Sequence, residues 1–467
     1  MHEEKKKGLN ISVRSFLGAI AVIFALMVCS YFLTFPIPGG SYNRIHDHTG
    51  NLIIDTSTAF TYTNSGIPFW KWLLSPILVL NAPGSGTLIA VILFLLIIGG
   101  VFNCLDQCGL MKYMLGKAAS RFSKVRYHLM AVVCFLFIAM GAMIGSFEEC
   151  VPLVPLVVAL SIDLGWDALT GIGMSLLAAG CGFATGVCNP FTVGVAQQLA
   201  GLPMFSGVWL RLISFLLIYL LLYGFLRTHA QKIQRPLETI LASAEFISDR
   251  KMDRGLKYFV SMLGSGIFLV LCSGFITLLQ NYTMIIVAVT FLAAGISATH
   301  CCGMDGKSLG NYFEKGIFSI FPAVLMILTA SSIRFTLEEA HVLDTLLHEA
   351  VILAQRLPGW MVILFIYLIV LVMNFFIPSG SANAFMLIPL IVPLAQIFGL
   401  SSQLCVMAFA FGDGFSNVFY PTNPALLIAL GLVDVSYGDW FRWSCKFQFL
   451  NLLLTSSILL LGLWMGY

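Results

Sequence analysis

Gly180-Cys181-Gly182-Phe183-Ala184-Thr185-Gly186-Val187-Cys188-Asn189-Pro190-Phe191-Thr192 and Gly414-Phe415-Ser416-Asn417-Val418-Phe419-Tyr420-Pro421-Thr422-Asn423-Pro424 decide how the chain folds. Each is an apolar run that stops at an Asn-Pro pair, and the pairs lie 234 residues apart (423 − 189). Proline removes a backbone donor and clashes with the preceding turn, so each pair ends one half-helix and starts the next. In the same ungapped frame, Leu153, Pro155, Leu156, Val158, Leu160 and Gly165 face Leu387, Pro389, Leu390, Val392, Leu394 and Gly399. Matching leucines and valines are expected by chance in an apolar chain, but matching Asn-Pro, Pro and Gly are not. After a short length change the frame resumes near Gly201-Leu202 and Gly431-Leu432 and reaches Trp209 and Trp440. The chain reads as two repeats, each carrying a broken helix.

The solvent for those helices is lipid. Of 467 residues, 59% are hydrophobic and 10% charged, and the mean hydropathy is +0.93; a soluble chain of this length needs far more charge on its surface. Runs such as Val13–Phe35, Gly207–Phe225 and Tyr258–Leu279 reach the ~20 apolar residues that span a bilayer. The short alternating segments of a β-barrel are missing from the sequence. The expected class is an all-α polytopic membrane protein. Three lysines in Met1–Lys7 precede a long apolar run with no small-residue cleavage site, which reads as a retained first helix. The 12 cysteines sit mostly in apolar runs, with Cys104/Cys108 and Cys301/Cys302 as the close pairs, and read as small hydrophobes.

Basic residues set the expected topology. Twenty of the 25 Lys and Arg fall in Lys5–Arg14, Lys112–Arg126, Arg227–Lys257, Lys307–Lys315 and Arg442–Lys446. These lie on one side if the N-terminus is cytoplasmic; Arg44, Lys71, Arg211, Arg334 and Arg356 then fall on or near the other. The sorting requires segments 128–164 and 359–398 to enter and leave on the same side, as re-entrant helical hairpins. Nine crossings result, with the C-terminus outside. The first repeat is expected over 1–227, with helices 13–36 and 84–104, hairpin 128–164, broken helix 168–200 and helix 207–227. A cytoplasmic linker, 228–257, precedes the second repeat, 258–467, with helices 258–279, 283–300 and 316–333, hairpin 359–398, broken helix 402–432 and helix 445–466. Pro36–Trp70 is expected as an outer loop, and Cys104–Phe122 and Thr336–Leu357 as amphipathic arm helices. Because the two hairpins open to opposite sides, the repeats are inverted, which puts a solute site near the bilayer midplane where they meet.

Four polar interruptions mark that site. The first hairpin tip is Gly145-Ser146-Phe147-Glu148-Glu149-Cys150, and its partner is Ser379-Gly380-Ser381-Ala382-Asn383. The breaks carry Asn189 and Thr192 in one repeat, and Thr422 and Asn423 in the other. Non-helical backbone is tolerated at this depth only where it is buried or lines a cavity. New half-helix N-termini offer N–H groups and positive dipole ends suited to a carboxylate. A proline kink capped by asparagine explains one such break; recurrence beside Ser/Gly tips favours a site. Intramembrane acids are costly unless paired, protonated or solvated. Glu148 and Glu149 face Ala382 and Asn383 across the repeat, and Asp413, in Gly412-Asp413-Gly414-Phe415-Ser416-Asn417, faces Ala179. The halves share a scaffold and differ in charge. Carboxylates beside helix N-termini suit an amino acid; the same acids also suit Na⁺ or a coupling proton. The substrate-binding set is therefore Ser146, Glu148, Glu149, Asn189, Thr192, Ser379, Ser381, Asn383, Asp413, Asn417, Thr422 and Asn423, with Na⁺ placed near Asn189 and Asn423 if it couples.

Other motifs are weak. Gly303-Met304-Asp305-Gly306-Lys307-Ser308 has the outline of a phosphate loop, but Cys301 stands where the first glycine belongs. His46 and His48 fit an ordinary polar loop. No ATPase domain, nucleophile–base pair, cofactor motif or nucleic-acid-binding pattern is visible, so gradients or exchange drive a carrier rather than an enzyme.

At these residues the chain resembles the YfcC/DcuC family of carriers within the wider ion-transporter superfamily, closest to the YfcC-like members. The resemblance rests on Phe35-Pro36-Ile37-Pro38-Gly39-Gly40-Ser41-Tyr42-Asn43-Arg44, Glu148-Glu149 and Asn189-Pro190-Phe191-Thr192-Val193-Gly194-Val195-Ala196. In the second half it rests on Ile377-Pro378-Ser379-Gly380-Ser381-Ala382, Phe411-Gly412-Asp413-Gly414-Phe415 and Pro421-Thr422, and it covers almost the whole chain. It implies a homodimer in the bacterial inner membrane whose transport domain moves against a scaffold as an elevator. It also implies substrates that include C4-dicarboxylates and basic amino acids such as arginine and ornithine. The acidic tip favours the amino acid; a site for two carboxylates should be net positive, and no Lys or Arg occurs at either tip.

Overall fold

The computed structural model describes residues 13–46, 52–54, 59–63, 66–82, 85–111, 113–114, 117, 125–145, 147–235, 249–273 and 283–467. The molecule is almost entirely helical. In the first half lie α1 (Val13–Leu33), two single-turn helices α2 (Phe69–Leu73) and α3 (Ser75–Leu78), α4 (Ser85–Gln107) and α5 (Arg126–Ile144). After α5 the chain passes through a 3-10 segment, Glu148–Leu153, into α6 (Val154–Asp163). Helix α7 runs over 168–185 with a π-turn at Gly173–Leu177. Helix α8 covers 190–199 and α9 is Val208–Ile233.

The second half has α10 (Arg250–Ser273), α11 (Thr283–Cys301), α12 (Gly306–Glu339), α13 (Val342–Ala354), α14 (Gly359–Phe376) and α15 (Gly380–Ile397). It closes with α16 (Ser402–Asn417), α17 (Pro424–Leu432) and α18 (Tyr437–Trp464). Among the described residues, eight helices are long and apolar enough to cross a membrane, counting 168–199 as one. Three of them, α5, α14 and α15, belong to the segments expected as hairpins, so length alone does not make those segments return.

The broken helices form the centre. Of the most apolar stretch of 168–199, 94% is buried, against 28% for α9. Every residue of α16 from Leu404 to Asn417 is buried as well. A helix apolar on all sides belongs in the interior, whereas one facing lipid keeps an exposed apolar face. Helix α5 packs along α7, α14 packs along α16, and α7 and α16 pack on each other. The last contact is backbone-close: a Cβ on Gly414 would stand 2.2 Å from the Ala184 Cα. Equivalent helix pairs from the two halves thus meet along one small-residue seam, a packing mode that suits helices in lipid.

Several boundaries differ from the sequence reading. The segment Pro36–Trp70 contains short strands, β1 (Gly39–Ser41) paired with β4 (Thr61–Thr63) and β2 (Arg44–His46) paired with β3 (Leu52–Ile54), both antiparallel. It docks on α13 through Arg44–Asp344 at 2.8 Å and Tyr42 Oη–His348 Nδ1 at 2.8 Å, with Phe60 stacked on His348 at 4.0 Å. Burial, and then the charge of Asp344, push the Tyr42 phenol up to about 12. Thr336–Leu357 is not one arm helix. Arg334 Nε donates to Glu338 Oε1 at 2.8 Å and carries α12 through Glu339 before the chain turns at His341.

Likewise Cys104–Gln107 end α4, and 118–122 lie outside the described residues. Helix α12 begins at Gly306 instead of 316, because Asp305 accepts the Ser308 N–H at 3.2 Å as its N-cap; the phosphate-loop outline is a helix start. Helix α18 begins at Tyr437 instead of 445, capped by Ser436, which accepts the Asp439 N–H at 3.1 Å. Helices α9 and α10 extend into 228–257. Parts of the expected helix 258–279 and of the 228–257 linker lie outside the described residues, as does His48.

Candidate functional site

The two breaks are built alike. Asn189 Oδ1 accepts the N–H groups of Phe191 and Thr192 at 2.9 and 3.3 Å. Asn423 Oδ1 accepts those of Ala425 and Leu426 at 2.9 and 3.3 Å. Each asparagine is an N-cap, and each following proline supplies the N1 position, where its missing N–H costs nothing. This corrects the expectation of open half-helix ends. The first-turn donors Phe191, Thr192, Ala425 and Leu426 are occupied by the caps, and each asparagine keeps its Nδ2 for another acceptor. The Asn423 Nδ2 donates to Asn417 Oδ1 at 2.9 Å, whereas the buried Asn189 Nδ2 has no partner.

The second break is tied to the second tip by amides. Asn374, at the end of α14, donates from Nδ2 to the Asp413 carbonyl at 2.9 Å, to Ser416 Oγ at 2.7 Å and to Asn417 Oδ1 at 3.1 Å. Asn383, on the first turns of α15, donates to Asp413 Oδ1 at 3.2 Å and to Asn374 Oδ1 at 3.4 Å. Sequence reasoning missed Asn374. Its only signal is an amide in the otherwise apolar run Leu371-Val372-Met373-Asn374-Phe375-Phe376. The residue one repeat earlier is Met140, so this network exists in one half only.

The tips reach the breaks. A Cβ on Gly380 would lie 2.5 Å from Thr192 Cγ2 and 2.8 Å from Asp413 Oδ2, which puts the second tip against the first break and the second-half acid together. Gly145, at φ +77, approaches Asn189 Oδ1 so closely that a Cβ would stand 2.3 Å from it. At both positions a side chain would displace the contact. Glu148 lies within electrostatic range of Asp413. Glu149 lines a small cleft with Leu153, Leu263, Thr290 and Phe291, toward α10 and α11. The acidic pair therefore divides between two surroundings.

Asn189, Thr192, Asn383, Asp413, Asn417 and Asn423 thus come together, with Glu148 beside them. Thr422 is buried in the second break, and Ser379 and Ser381 are half-buried at the tip. Ser146 lies outside the described residues. Among the described residues, 13 buried side-chain polar atoms have no hydrogen-bond partner. Six belong to the expected set: Glu149 Oε2, Asn189 Nδ2, Thr192 Oγ1, Asn383 Oδ1, Asp413 Oδ2 and Thr422 Oγ1. Orphaned polar atoms are rare in folded proteins; five of these six lie at the breaks and on α15 and α16, and Glu149 Oε2 belongs to the residue lining the separate cleft toward α10 and α11. Five of the six are oxygens, hard donors suited to an ammonium group or an alkali cation.

Comparison with known proteins agrees with a transport role. The profile of the DcuC family, described as the C4-dicarboxylate anaerobic carrier, matches residues 17–464. YfcC of Escherichia coli K12, named as a "putative basic amino acid antiporter", is 27% identical over 402 residues, covering 82% of this chain and 79% of its own. An uncharacterized protein of Haemophilus influenzae is 24% identical over 511 residues, covering 98% and 97%. Among solved structures, the YdaH transporter of Alcanivorax borkumensis is 17% identical with a TM-score of 0.47, over 96% of this chain and 99% of that one. MtrF of Neisseria gonorrhoeae, from a class of antimetabolite efflux pumps, is 16% identical with a TM-score of 0.45, over 96% and 95%. With nearly its whole length matched, this multi-pass helical membrane protein belongs to the DcuC family of carriers.

Proposed function

We propose that the protein is a secondary active carrier for a small carboxylate-bearing solute with a cationic group, an amino acid of the ornithine or arginine type, in a bacterial inner membrane. The observation that carries this reading is the cluster of unpartnered oxygens around Asp413, Asn383 and Thr192, where two broken helices and a glycine tip converge. A site rich in acceptors with one buried carboxylate takes a cation more readily than a second anion. The printed name of YfcC points the same way. Proton or Na⁺ coupling fits the same oxygens, and Na⁺ would be held by Asp413, Asn383 and Thr192 rather than by the cap oxygens of Asn189 and Asn423.

The mechanism proposed is alternating access by an elevator movement in a homodimer. The two repeats are inverted, 128–164 and 359–398 are re-entrant hairpins, and the N-terminus is cytoplasmic. The equal caps at Asn189 and Asn423 and the equivalent α5–α7 and α14–α16 packing support the repeat; basic-residue sorting supports the inversion. The second reading, a C4-dicarboxylate carrier, is favoured by the family description.

Counterflow separates the readings. Purified protein in liposomes preloaded with L-ornithine or L-arginine should accumulate the labelled amino acid saturably, and succinate-loaded liposomes should not accumulate succinate. Accumulation of succinate alone moves the assignment to the dicarboxylate. Absence of saturable counterflow for every solute, from correctly inserted protein, removes the transport reading.

A further inference from the structure

The first turns of α15 have two faces. Asn383, Ala384, Leu387 and Ile388 are buried, and Asn383 bonds Asp413. Ala382, Phe385 and Met386, at helical spacing between them, are half-buried and line a cavity of about 460 Å³, a volume in the range of small-molecule sites. One short stretch of helix is therefore the wall between this cavity and the candidate site. Gly380, at the start of the same helix, closes against Thr192 and Asp413 on the site's side.

The facing wall is charged. Arg44 of β2, Arg334 and Glu338 near the end of α12, and Asp344 of α13 line it, and the two arginines and two acids cancel. The two ion pairs differ. Asp344 is buried and fully used: it accepts Arg44 Nη2 on both oxygens, at 2.8 and 3.0 Å, and the Tyr42 N–H at 3.2 Å. That pair holds the outer loop on α13. Arg334 and Glu338 are 32% and 35% exposed and meet through Arg334 Nε and Glu338 Oε1. Their contact leaves the Nη edge of the guanidinium and the second carboxylate oxygen for another partner. An exposed pair of this kind contributes little to stability. A guanidinium edge matches a carboxylate, and a carboxylate oxygen beside it accepts from an ammonium group. A neutral cavity holding both is complementary to a zwitterion, whereas a dicarboxylate would meet Glu338 and Asp344 with like charge.

We propose that this cavity is an outer antechamber, where Arg334 and Glu338 take the carboxylate and ammonium groups of an amino acid before the first turns of α15 move aside and admit it to the site at Asp413 and Thr192. The inference rests on the carrier reading for its ligand and on the outer placement of Arg44 and Arg334. It adds a second binding place and names the wall between the two.

The test has two readouts on the full-length protein. The first is occupancy, without transport. Ala382→Cys, with Cys29 and Cys445 replaced by serine, is modified from the outer face by a membrane-impermeant thiol reagent in the presence of L-ornithine, 1,4-diaminobutane or succinate. L-Ornithine should slow the modification, 1,4-diaminobutane, which lacks the carboxylate, should do so less, and succinate should not. Adding Arg334→Gln or Glu338→Gln should weaken the protection by about 10-fold in ornithine concentration, the loss of one charge-assisted hydrogen bond. The second readout is exchange of labelled L-ornithine in oriented vesicles. Either variant should raise the half-saturating concentration at the outer face by a similar factor and leave the inner face and the maximal rate unchanged, whereas Asp413→Asn should impair both faces. Equal changes at both faces, or none at the outer face of a correctly inserted variant, overturn the proposal. Absence of protection by L-ornithine overturns it too, as does protection by succinate as strong as by L-ornithine; both are read without either variant. Protection without exchange leaves the antechamber in place and removes the carrier reading instead.

Discussion

Asp413 has one oxygen bonded to Asn383 and the other buried without a partner. Asp413→Asn keeps the shape and removes the charge, so it should insert and fold, yet reduce uptake by about 100-fold, as expected when a buried charged contact is lost. Retained uptake at wild-type rates in proteoliposomes would take Asp413 out of the mechanism. Glu148 and Glu149, alike in sequence, should separate in a double-mutant test. Glu148 is in range of Asp413, and Glu149 opens toward α10 and α11. Glu148→Gln combined with Asp413→Asn should lose little more than either alone, whereas Glu149→Gln, in electrostatic range of its neighbour Glu148 rather than of Asp413, should add to Asp413→Asn more nearly independently, since groups in one network couple and others add. Additive losses for both pairs in the same uptake assay would show that Glu148 and Asp413 do not act together. Asn374 supports the network from behind. Its loss removes a buried amide shared among three acceptors, and Asn374→Ala should destabilise the fold by about 2 kcal/mol, measured by thermal unfolding in detergent.

Helix boundaries follow from caps, and caps explain what the sequence made legible. The breaks at Asn189 and Asn423 are visible because Asn-Pro marks both the cap and the first helical position. Asp413 is visible because charge is rare in apolar runs. The starts of α12 at Gly306 and α18 at Tyr437 are hidden, since Asp305 and Ser436 cap polar turns that hydropathy counts as loop. Asn374 is hidden for another reason: one polar side chain in a helix carries no information about which neighbour it meets.

Asp167 is a further cap. Its Oδ1 accepts the Thr170 N–H at 2.8 Å, and Oδ2 meets His229 Nε2 at 3.0 Å. Burial would raise the carboxyl, but hydrogen bonds from His229 and Thr170 outweigh it and hold the group below its usual 3.8. A depressed carboxyl stabilises the fold above its unfolded value and loses that contribution as pH falls through the folded one. Asp167→Ala should therefore cost about 1 kcal/mol at neutral pH, and the gap to the wild type should close as pH falls through the lowered folded value of the carboxyl. A gap that persists there in thermal melts would assign the loss to packing rather than to the charge.

At the scale of the molecule, the shared seam of α7 and α16 brings the two halves together, and the relation between those halves decides whether alternating access is available. Two repeats of the same hand would give both hairpin openings one face. Inverted repeats give them opposite faces, so that one movement closes a path on one side as it opens the other. Ile162, near the end of α6, and Ile397, at the end of α15, are both exposed, 43% and 72%, and stand at the open ends of the two expected hairpins. Single cysteines there report the face directly, in a background where the exposed Cys29 and Cys445 are replaced by serine. A membrane-impermeant maleimide applied to intact cells should label Ile397→Cys and leave Ile162→Cys unlabelled until the membrane is opened. Labelling of both from the same face would show parallel repeats, and the basic-residue sorting that requires hairpins at 128–164 and 359–398 would fail with it. Opposite labelling would have the two tips, one acidic with Glu148 and Glu149 and one carrying Ala382 and Asn383, open in turn to the two sides of the membrane.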